Sequence, residues 1–299
     1  MQLELPVVLA SGYRSGSQRA RVVTEPWVAE QAYCPSCGGE LMRYTANKPV
    51  ADFLCPSCAS DYELKSKKGR FASKAADGAY DTMISRISGQ NAPSFFFLGH
   101  DDIRVHTFFT VPSHYFTPDI IEKRRPLGPA ARRAGWVGCN ILLRQIPASG
   151  RIYYIRNGEV QSKQQVMDTY AATSFLRNAA SSQLRGWLLD VMCCIEKLGE
   201  REFSLDDVYR FEHHLAVLHP QNRNIRPKIR QQLQYLRKHS TKRLVARGGL
   251  HARVSPAHRV TFLPPVFPVE RLSIPGISDR YPSAALWVGS RRSTSVSHC

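Results

Sequence analysis

Four cysteines stand in two Cys-x-x-Cys turns, Cys34-Pro-Ser-Cys37 and Cys55-Pro-Ser-Cys58, with 17 residues between the pairs. Each turn presents two thiolates on one side of a tight bend, and two such bends close a tetrahedral four-sulfur site. Knuckles of this kind mostly hold structural Zn²⁺, and iron in a rubredoxin-like site uses the same ligands. Four thiolates leave no open coordination position, so the ion holds the fold and does not do the chemistry. Cys139, Cys193, Cys194 and Cys299 lack ligand spacing and read as ordinary thiols.

A second set of reactive groups overlaps the first. Asp52 lies three residues before Cys55, and Glu63-Leu64-Lys65 begins five residues after Cys58. Strand alternation puts Glu63 and Lys65 on one face and turns Leu64 into the core. If the second knuckle is the tip of a hairpin, Asp52 on the first strand faces Glu63 on the second. Two carboxylates and an amine converging on one point suit metal-assisted phosphodiester hydrolysis. The carboxylates hold Mg²⁺, and Lys65 orients the attacking water or helps to deprotonate it. Taken alone, an Asp followed by Glu-x-Lys equally describes a solvated hairpin with a charged face.

From Pro220 to Arg247 there are nine Lys or Arg and no Asp or Glu. Arg226, Lys228, Arg230, Gln231 and Gln232 lie at the start or along the polar side of a helix there. Arg reads guanine and Gln reads adenine in the major groove, each with two hydrogen bonds. A solvated basic face is the alternative, although such faces usually carry interspersed acids. Upstream, Lys123-Arg124-Arg125 and Arg132-Arg133 flank a loop ending in Ala134-Gly135-Trp136-Val137-Gly138. Trp136 is a core anchor or, in so basic a loop, a platform for a base.

The elements that must position these groups fall into three regions. In residues 1 to about 175, Phe95 to Leu98, Val105 to Val111 and Arg151 to Ile155 read as strands, and Asp77 to Ile87 has apolar residues at helical spacing. Strands with interspersed helices indicate an α/β or α+β domain. From about 181, Leu184, Leu188, Val191, Ile195 and Leu198 mark one amphipathic helix. Ser204 and Asp207 have the spacing of a capping box ahead of a second, whose stripe is Val208, Phe211, Leu215 and Leu218. A third begins near Arg226, and Lys242 to Leu250 resembles a short strand with a Gly-Gly turn. Three short helices and a β-turn element fit a winged helix-turn-helix. Residues 251–299, with six prolines, many serines and no periodicity, read as a largely disordered tail.

The chain has 299 residues, 43% hydrophobic and 22% charged, the balance of a soluble globular protein. No apolar run approaches the roughly 20 residues that span a bilayer, and the N-terminus lacks the basic flank of a secretory signal. The expectation is a protein of the cytoplasm. Forty-one Lys and Arg against 24 Asp and Glu leave a net +17, a surplus that attracts polyanions, nucleic acid above all.

The ordered motifs resemble the DpnI-type restriction endonucleases, a methyl-directed group within the PD-(D/E)XK nuclease superfamily. They are Cys34-Pro-Ser-Cys37, Pro49-Val-Ala-Asp52-Phe, Cys55-Pro-Ser-Cys58, Glu63-Leu-Lys65-Ser-Lys-Lys-Gly, Asp77-Gly-Ala-Tyr80, Ala131-Arg-Arg-Ala-Gly-Trp136-Val-Gly-Cys-Asn140 and Lys228-Ile-Arg-Gln-Gln-Leu-Gln234. The resemblance runs from about residue 13 to about 240. It implies a mixed α/β PD-(D/E)XK catalytic domain over 1–178, with a zinc ribbon at 34–58, and an α+β winged-helix domain over 179–250.

Residue by residue, the resemblance implies a catalytic triad of Asp52, Glu63 and Lys65. Mg²⁺ would be held by Asp52, Glu63 and the main-chain carbonyl of Leu64, and Zn²⁺ by Cys34, Cys37, Cys55 and Cys58. Trp136 would form part of a methyl-sensing pocket, beside Arg132 and Arg133. The implied substrate is double-stranded DNA carrying N6-methyladenine in GATC, read by both domains and cut by a monomer or a transient dimer in a bacterial cytoplasm. A non-catalytic zinc-ribbon and winged-helix reader of methylated DNA is the rival expectation. One departure is at the end: relatives finish with a basic, aromatic wing soon after the position of Arg247, whereas this chain runs on. A change of reading frame near 247 is the expectation that accounts for it, and it would leave the nuclease core intact.

Overall fold

The computed structural model describes residues 1–44, 51–89, 91–179, 181–199, 202–245 and 259–261. In chain order its strands are β1 (Met42–Arg43), β2 (Phe53–Cys55), β3 (Ser60–Lys68), β4 (Ala75–Ala79), β5 (Ser94–His100), β6 (Val105–Val111), β7 (Ile121–Lys123), β8 (Gly138–Ile141), β9 (Ile152–Arg156), β10 (Glu159–Val160), β11 (Glu202–Ser204) and β12 (Arg259–Thr261). The α-helices are α1 (Gly16–Gln31), α2 (Tyr80–Ser88), α3 (Lys163–Thr173), α4 (Ser182–Leu198), α5 (Leu205–Tyr209), α6 (Glu212–Leu218) and α7 (Ile225–Val245).

A seven-stranded sheet in the order β1-β2-β3-β5-β6-β9-β10 forms the centre. Only β3 and β5 pair in parallel, with Glu63 opposite Phe95 and Lys65 opposite Phe97; the other neighbours are antiparallel. Every residue of β5 is buried, as a strand covered on both faces requires, which is why its middle, Phe95 to Leu98, is an apolar run between Ser94 and His100. On one face Tyr62, Phe96, Leu98, Phe108 and Tyr154 pack with Trp27 and Val28 of α1 and Val166 and Tyr170 of α3. On the other, Phe95, Phe97, Phe109 and Val111 share a core with Met83 and Ile87 of α2, with Ile121 and Ile141 of the small sheet β4-β8-β7, and with α4 to α7.

The sequence reading assigns no element to Gly16–Gln31; α1 carries no clear apolar stripe, because Thr24 and Glu25 occupy its buried side and Pro26 interrupts it. Some expectations are corrected and others met. The helix expected over Asp77 to Ile87 begins only at Tyr80, since Ala75–Ala79 is drawn into a ladder with β8 that sets Asp77 opposite Cys139. The capping box is present, Ser204 Oγ accepting from the Asp207 N–H and Asp207 Oδ2 from the Ser204 N–H. The helix it starts is broken at Arg210 and Phe211, and Leu218 is exposed. α7 runs on to Val245, so Lys242–Val245 is helical and not a strand; 246–250 lie outside the described residues. Within the stretch expected to be disordered, β12 pairs antiparallel with β11 and puts Val260 opposite Phe203. The remainder of 251–299 lies outside the described residues.

Candidate active site, metal centre and nucleic-acid interface

Asp52 precedes β2 by one residue and is tied to β3 twice. Its N–H donates to the Tyr62 carbonyl at 2.9 Å, and its Oδ2 accepts from the Leu64 N–H at 2.7 Å. The side chains of β3 alternate as the pleat dictates. Tyr62 and Leu64 pack toward α1, where Ser66 Oγ also meets Thr24 Oγ1 at 3.2 Å. Glu63 and Lys65 take the opposite side, with the Lys65 ammonium 5.7 Å from the Phe95 ring centroid.

Lys65 Nζ lies 2.5 Å from Glu63 Oε1 and also bonds Asp77 Oδ1. Asp77 arrives from the small sheet, on β4, and its side chain is 4% exposed. Burial works against the Lys65 charge, but Glu63 and Asp77 outweigh it and hold its proton more tightly than usual. Burial, opposed by Lys65 and assisted by Asp77, pushes the Glu63 carboxyl up to about 7. Burial also raises Asp52, with the Leu64 N–H opposing and Glu25 adding to the rise. Glu25 is itself a buried acid, 2.5 Å from both Arg21 and Arg43.

Two carboxyl groups whose charge is disfavoured by burial and by neighbouring acids form an environment that a divalent cation relieves. Asp52 and Glu63 could hold one, with the Leu64 carbonyl between them in sequence. Lys65, clamped as a cation, suits charge stabilisation and water orientation better than proton abstraction. Asp77 was not among the expected site residues. Its signal was the Asp77-Gly-Ala-Tyr80 motif, but nothing local ties that motif to Lys65, twelve residues earlier.

The cysteine knuckles meet at the far end of the β2–β3 hairpin. The Sγ atoms of Cys34, Cys37, Cys55 and Cys58 lie within 4.8 Å of one another, and among the described residues they are the one group of three or more His, Cys, Asp or Glu so drawn together. Cys34 and Cys58 are 3.5 Å apart, as are Cys37 and Cys55. The Tyr62 hydroxyl lies 3.1 Å from Cys34 Sγ and the Ser60 hydroxyl 3.2 Å from Cys58 Sγ, so each of these sulfurs, as a thiolate, has a hydroxyl in reach to donate to it. In the first knuckle Gly38 takes φ +76°, where a side chain would be strained. This set can hold one ion with four sulfurs.

Trp136 is half-buried at the end of the basic loop, next to β8. Its ring lies over Gly138, so closely that a Cβ there would come within 2.8 Å of it. The Arg133 guanidinium covers the indole at 4.7 Å, and Arg132 is exposed. Since β8 pairs with β4, the Trp136 loop and Asp77 belong to one small sheet.

In the C-terminal region Arg226, Arg230 and Gln231 are exposed on α7 and Lys228 is partly exposed. Arg226 bonds Glu212 at 2.7 Å, and Arg226 and Arg230 both lie over the Tyr209 ring, Arg230 also bonding its hydroxyl. Gln232 corrects the expectation. It is fully buried with Ile225, Ile229, Leu233 and Leu236, because one residue beyond Gln231 the helix has turned about 100° inward. It therefore presents no amide to a base. Neither Tyr209 nor Glu212 was foreseen, since each acts across a helix pair.

No helix among the described residues is long and apolar enough to cross a membrane. The model of the Dam-replacing family matches residues 1–179, and the model of the Dam-replacing HTH domain matches residues 183–251. The first match alone covers more than half of the chain and takes in the hairpin, the cysteine cluster and the Trp136 loop. The second takes in α4 to α7. The chain belongs to the Dam-replacing, DpnI-type family and carries that family's helix-turn-helix domain.

Proposed function

We propose that this protein is a Mg²⁺-dependent, methyl-directed type II restriction endonuclease that cuts both strands of DNA at GATC sites carrying N6-methyladenine. The single observation that carries this reading is the β2–β3 hairpin. It brings Asp52, Glu63 and Lys65 together on a sheet whose parallel β3–β5 pair and flanking helices suit the PD-(D/E)XK fold. Residues 1–178 form the catalytic domain and 179–250 the winged-helix domain.

Asp52, Glu63 and the Leu64 carbonyl hold the Mg²⁺, which supplies charge stabilisation at the phosphate and a more acidic water. Lys65, kept protonated between Glu63 and Asp77, steers the attacking water and offsets charge developing on the phosphoryl oxygens. In-line attack leaves a 5′-phosphate and a 3′-hydroxyl. Cys34, Cys37, Cys55 and Cys58 hold Zn²⁺, which pins the tip of the same hairpin and thereby its carboxylates. One active site per chain cuts two strands by transient pairing or by successive binding, in the bacterial cytoplasm.

The half-buried indole of Trp136 offers an apolar wall for the adenine methyl groups. Burial of one methyl is worth about 0.8 kcal/mol, so strong selectivity needs both methyls or a second reading. The winged helix supplies that reading through Arg226, Lys228, Arg230 and Gln231, while Arg132 and Arg133 hold the backbone.

The test is a digest with Mg²⁺ of one plasmid in adenine-methylated and unmethylated forms, beside Asp52→Ala. Discrete fragments from the methylated form alone, lost in the variant, are expected. Equal cutting of both forms removes the methyl-sensing role of Trp136. Binding to methylated DNA without cutting by the wild-type protein replaces the nuclease with a reader.

A further inference from the structure

A cavity of about 220 Å³ opens between the start of α4, the segment after α3, the end of α2 and the loops before β5 and after β6. Its walls are Ile87, Ala92, Ser113, His114, Phe116, Arg177 and Arg185, which include two guanidinium groups and no acid. Arg185, on the first turn of α4, is 8% exposed, and its buried Nε has no hydrogen-bond partner. No ion pair of Arg185 or Arg177 occurs among the described residues, and burial alone lowers the Arg185 proton affinity, with no acid opposing it. A guanidinium whose Nε is buried without a partner is disfavoured unless a ligand completes it.

Arg177 is held by neutral acceptors. It bonds the Tyr170 hydroxyl, lies over the Tyr170 ring at 5.3 Å, and turns Nε toward His114 Nδ1 at 3.5 Å. The Thr173 hydroxyl donates to the Tyr170 carbonyl at 2.8 Å, so at 3.0 Å it can only accept from His114 Nε2. That makes His114 the neutral Nε2–H tautomer, with Nδ1 as an acceptor for Arg177. The imidazole therefore orients a cation and does not neutralise one. Ser113 is a further lining residue and brings a hydroxyl.

We propose that this cavity is an oxyanion site of phosphate chemistry, in which Arg177 and Arg185 close on one tetrahedral anion. Guanidinium forks match such an anion in geometry as well as charge. The site lies outside the Asp52–Glu63–Lys65 cluster and does not depend on the nuclease reading. Arg177 follows α3 and Arg185 begins α4, so an anion between them ties the first helix of the C-terminal region to the catalytic sheet. The anion is either a free phosphate or a backbone phosphate of bound DNA.

The test uses the full chain without Mg²⁺. Thermal unfolding is followed at constant ionic strength as chloride is replaced by inorganic phosphate, alongside Arg185→Met, Arg177→Met and, as control, Arg19→Ala, an exposed cation on α1. The expected result is a saturable rise in Tm for the wild type and for Arg19→Ala, absent in both methionine variants. Arg185→Met should itself melt above the phosphate-free wild type, because it deletes a buried N–H donor that has no acceptor. The salt dependence of duplex DNA binding assigns the source. A slope smaller by about one in Arg185→Met places a DNA phosphate in the cavity, and an unchanged slope leaves it to free phosphate. The proposal is overturned if phosphate raises the Tm of wild type and Arg185→Met equally, or of neither. Should Arg185→Met fail to fold, Arg177→Met and calorimetric titration of the wild type with phosphate decide, and absence of a saturable heat is the negative.

Discussion

Lys65 is the hub of the reactive cluster, and its charge depends on two acids from different sheets. Asp77→Asn removes one of them while keeping the shape. Cleavage should slow on the order of 100-fold, a typical loss for a misplaced catalytic group, with little change in DNA affinity; single-turnover kinetics beside equilibrium binding separates the two. If the rate is unchanged, Asp77 is only a packing acid. His114 makes a different kind of prediction. Burial, with Arg177 and Arg185 beside it, pushes its pKa down to about 3, whereas the unfolded chain protonates near 6.5. The unfolded state thus binds more protons between these values, so the His114 contribution to stability is complete above about pH 6.5 and is lost as pH falls toward 3. His114→Gln should flatten the fall in Tm between pH 6.5 and pH 4, and an unaltered slope would assign the acid sensitivity elsewhere.

The β2–β3 hairpin carries sulfur ligands at its tip and carboxylates at its base. On the proposed reading, an ion at the tip would act on catalysis only through the position of the strands. Cys34→Ser should lower both Tm and cleavage, and added Mg²⁺ should not restore either; full activity in a metal-free, folded variant would refute that coupling. The Trp136 loop is governed by Gly138, whose missing side chain leaves room for the indole. Gly138 does not need positive φ, so Gly138→Ala strains no backbone and acts by displacing the ring. The expected outcome is a weaker preference for methylated over unmethylated plasmid, with cutting retained. This follows from the methyl term being only about 0.8 kcal/mol per group, small enough for a modest shift of the wall to erase.

At the scale of the described residues, one of two apolar clusters runs from the central sheet through α2 and the small sheet into α4 to α7. The two family-matched regions are therefore not separately cored. Leu188, fully buried in α4 within this cluster, tests the consequence. Leu188→Ala should cost about 2–5 kcal/mol and lower a single unfolding transition, seen alike by cleavage activity and by circular dichroism. Two separated transitions would mean that the regions fold independently. A shared core also bears on recognition. On the proposed reading, packed side chains join α7, where it would meet DNA, to the sheet that bears Glu63.

Much of this protein is local in origin. The cysteine spacing, the Glu-x-Lys alternation, the capping box and the basic face of α7 are properties of a few consecutive residues, because turns, pleats and helices have fixed periods. These were legible in the amino-acid sequence, as was the family resemblance built on them. What joins distant segments was not. Asp77 reaches Lys65 only because the small sheet packs beside the large one, and Tyr209 and Glu212 reach Arg226 only across a helix pair. Gln232 reads as a polar surface residue until the direction of the α7 core is known, and α1 hides behind a buried acid and a proline. β12 lacks any sign of its partner until β11 is placed opposite it. Local geometry sets which chemistry each residue can offer; the packing of separate layers alone decided which residues meet.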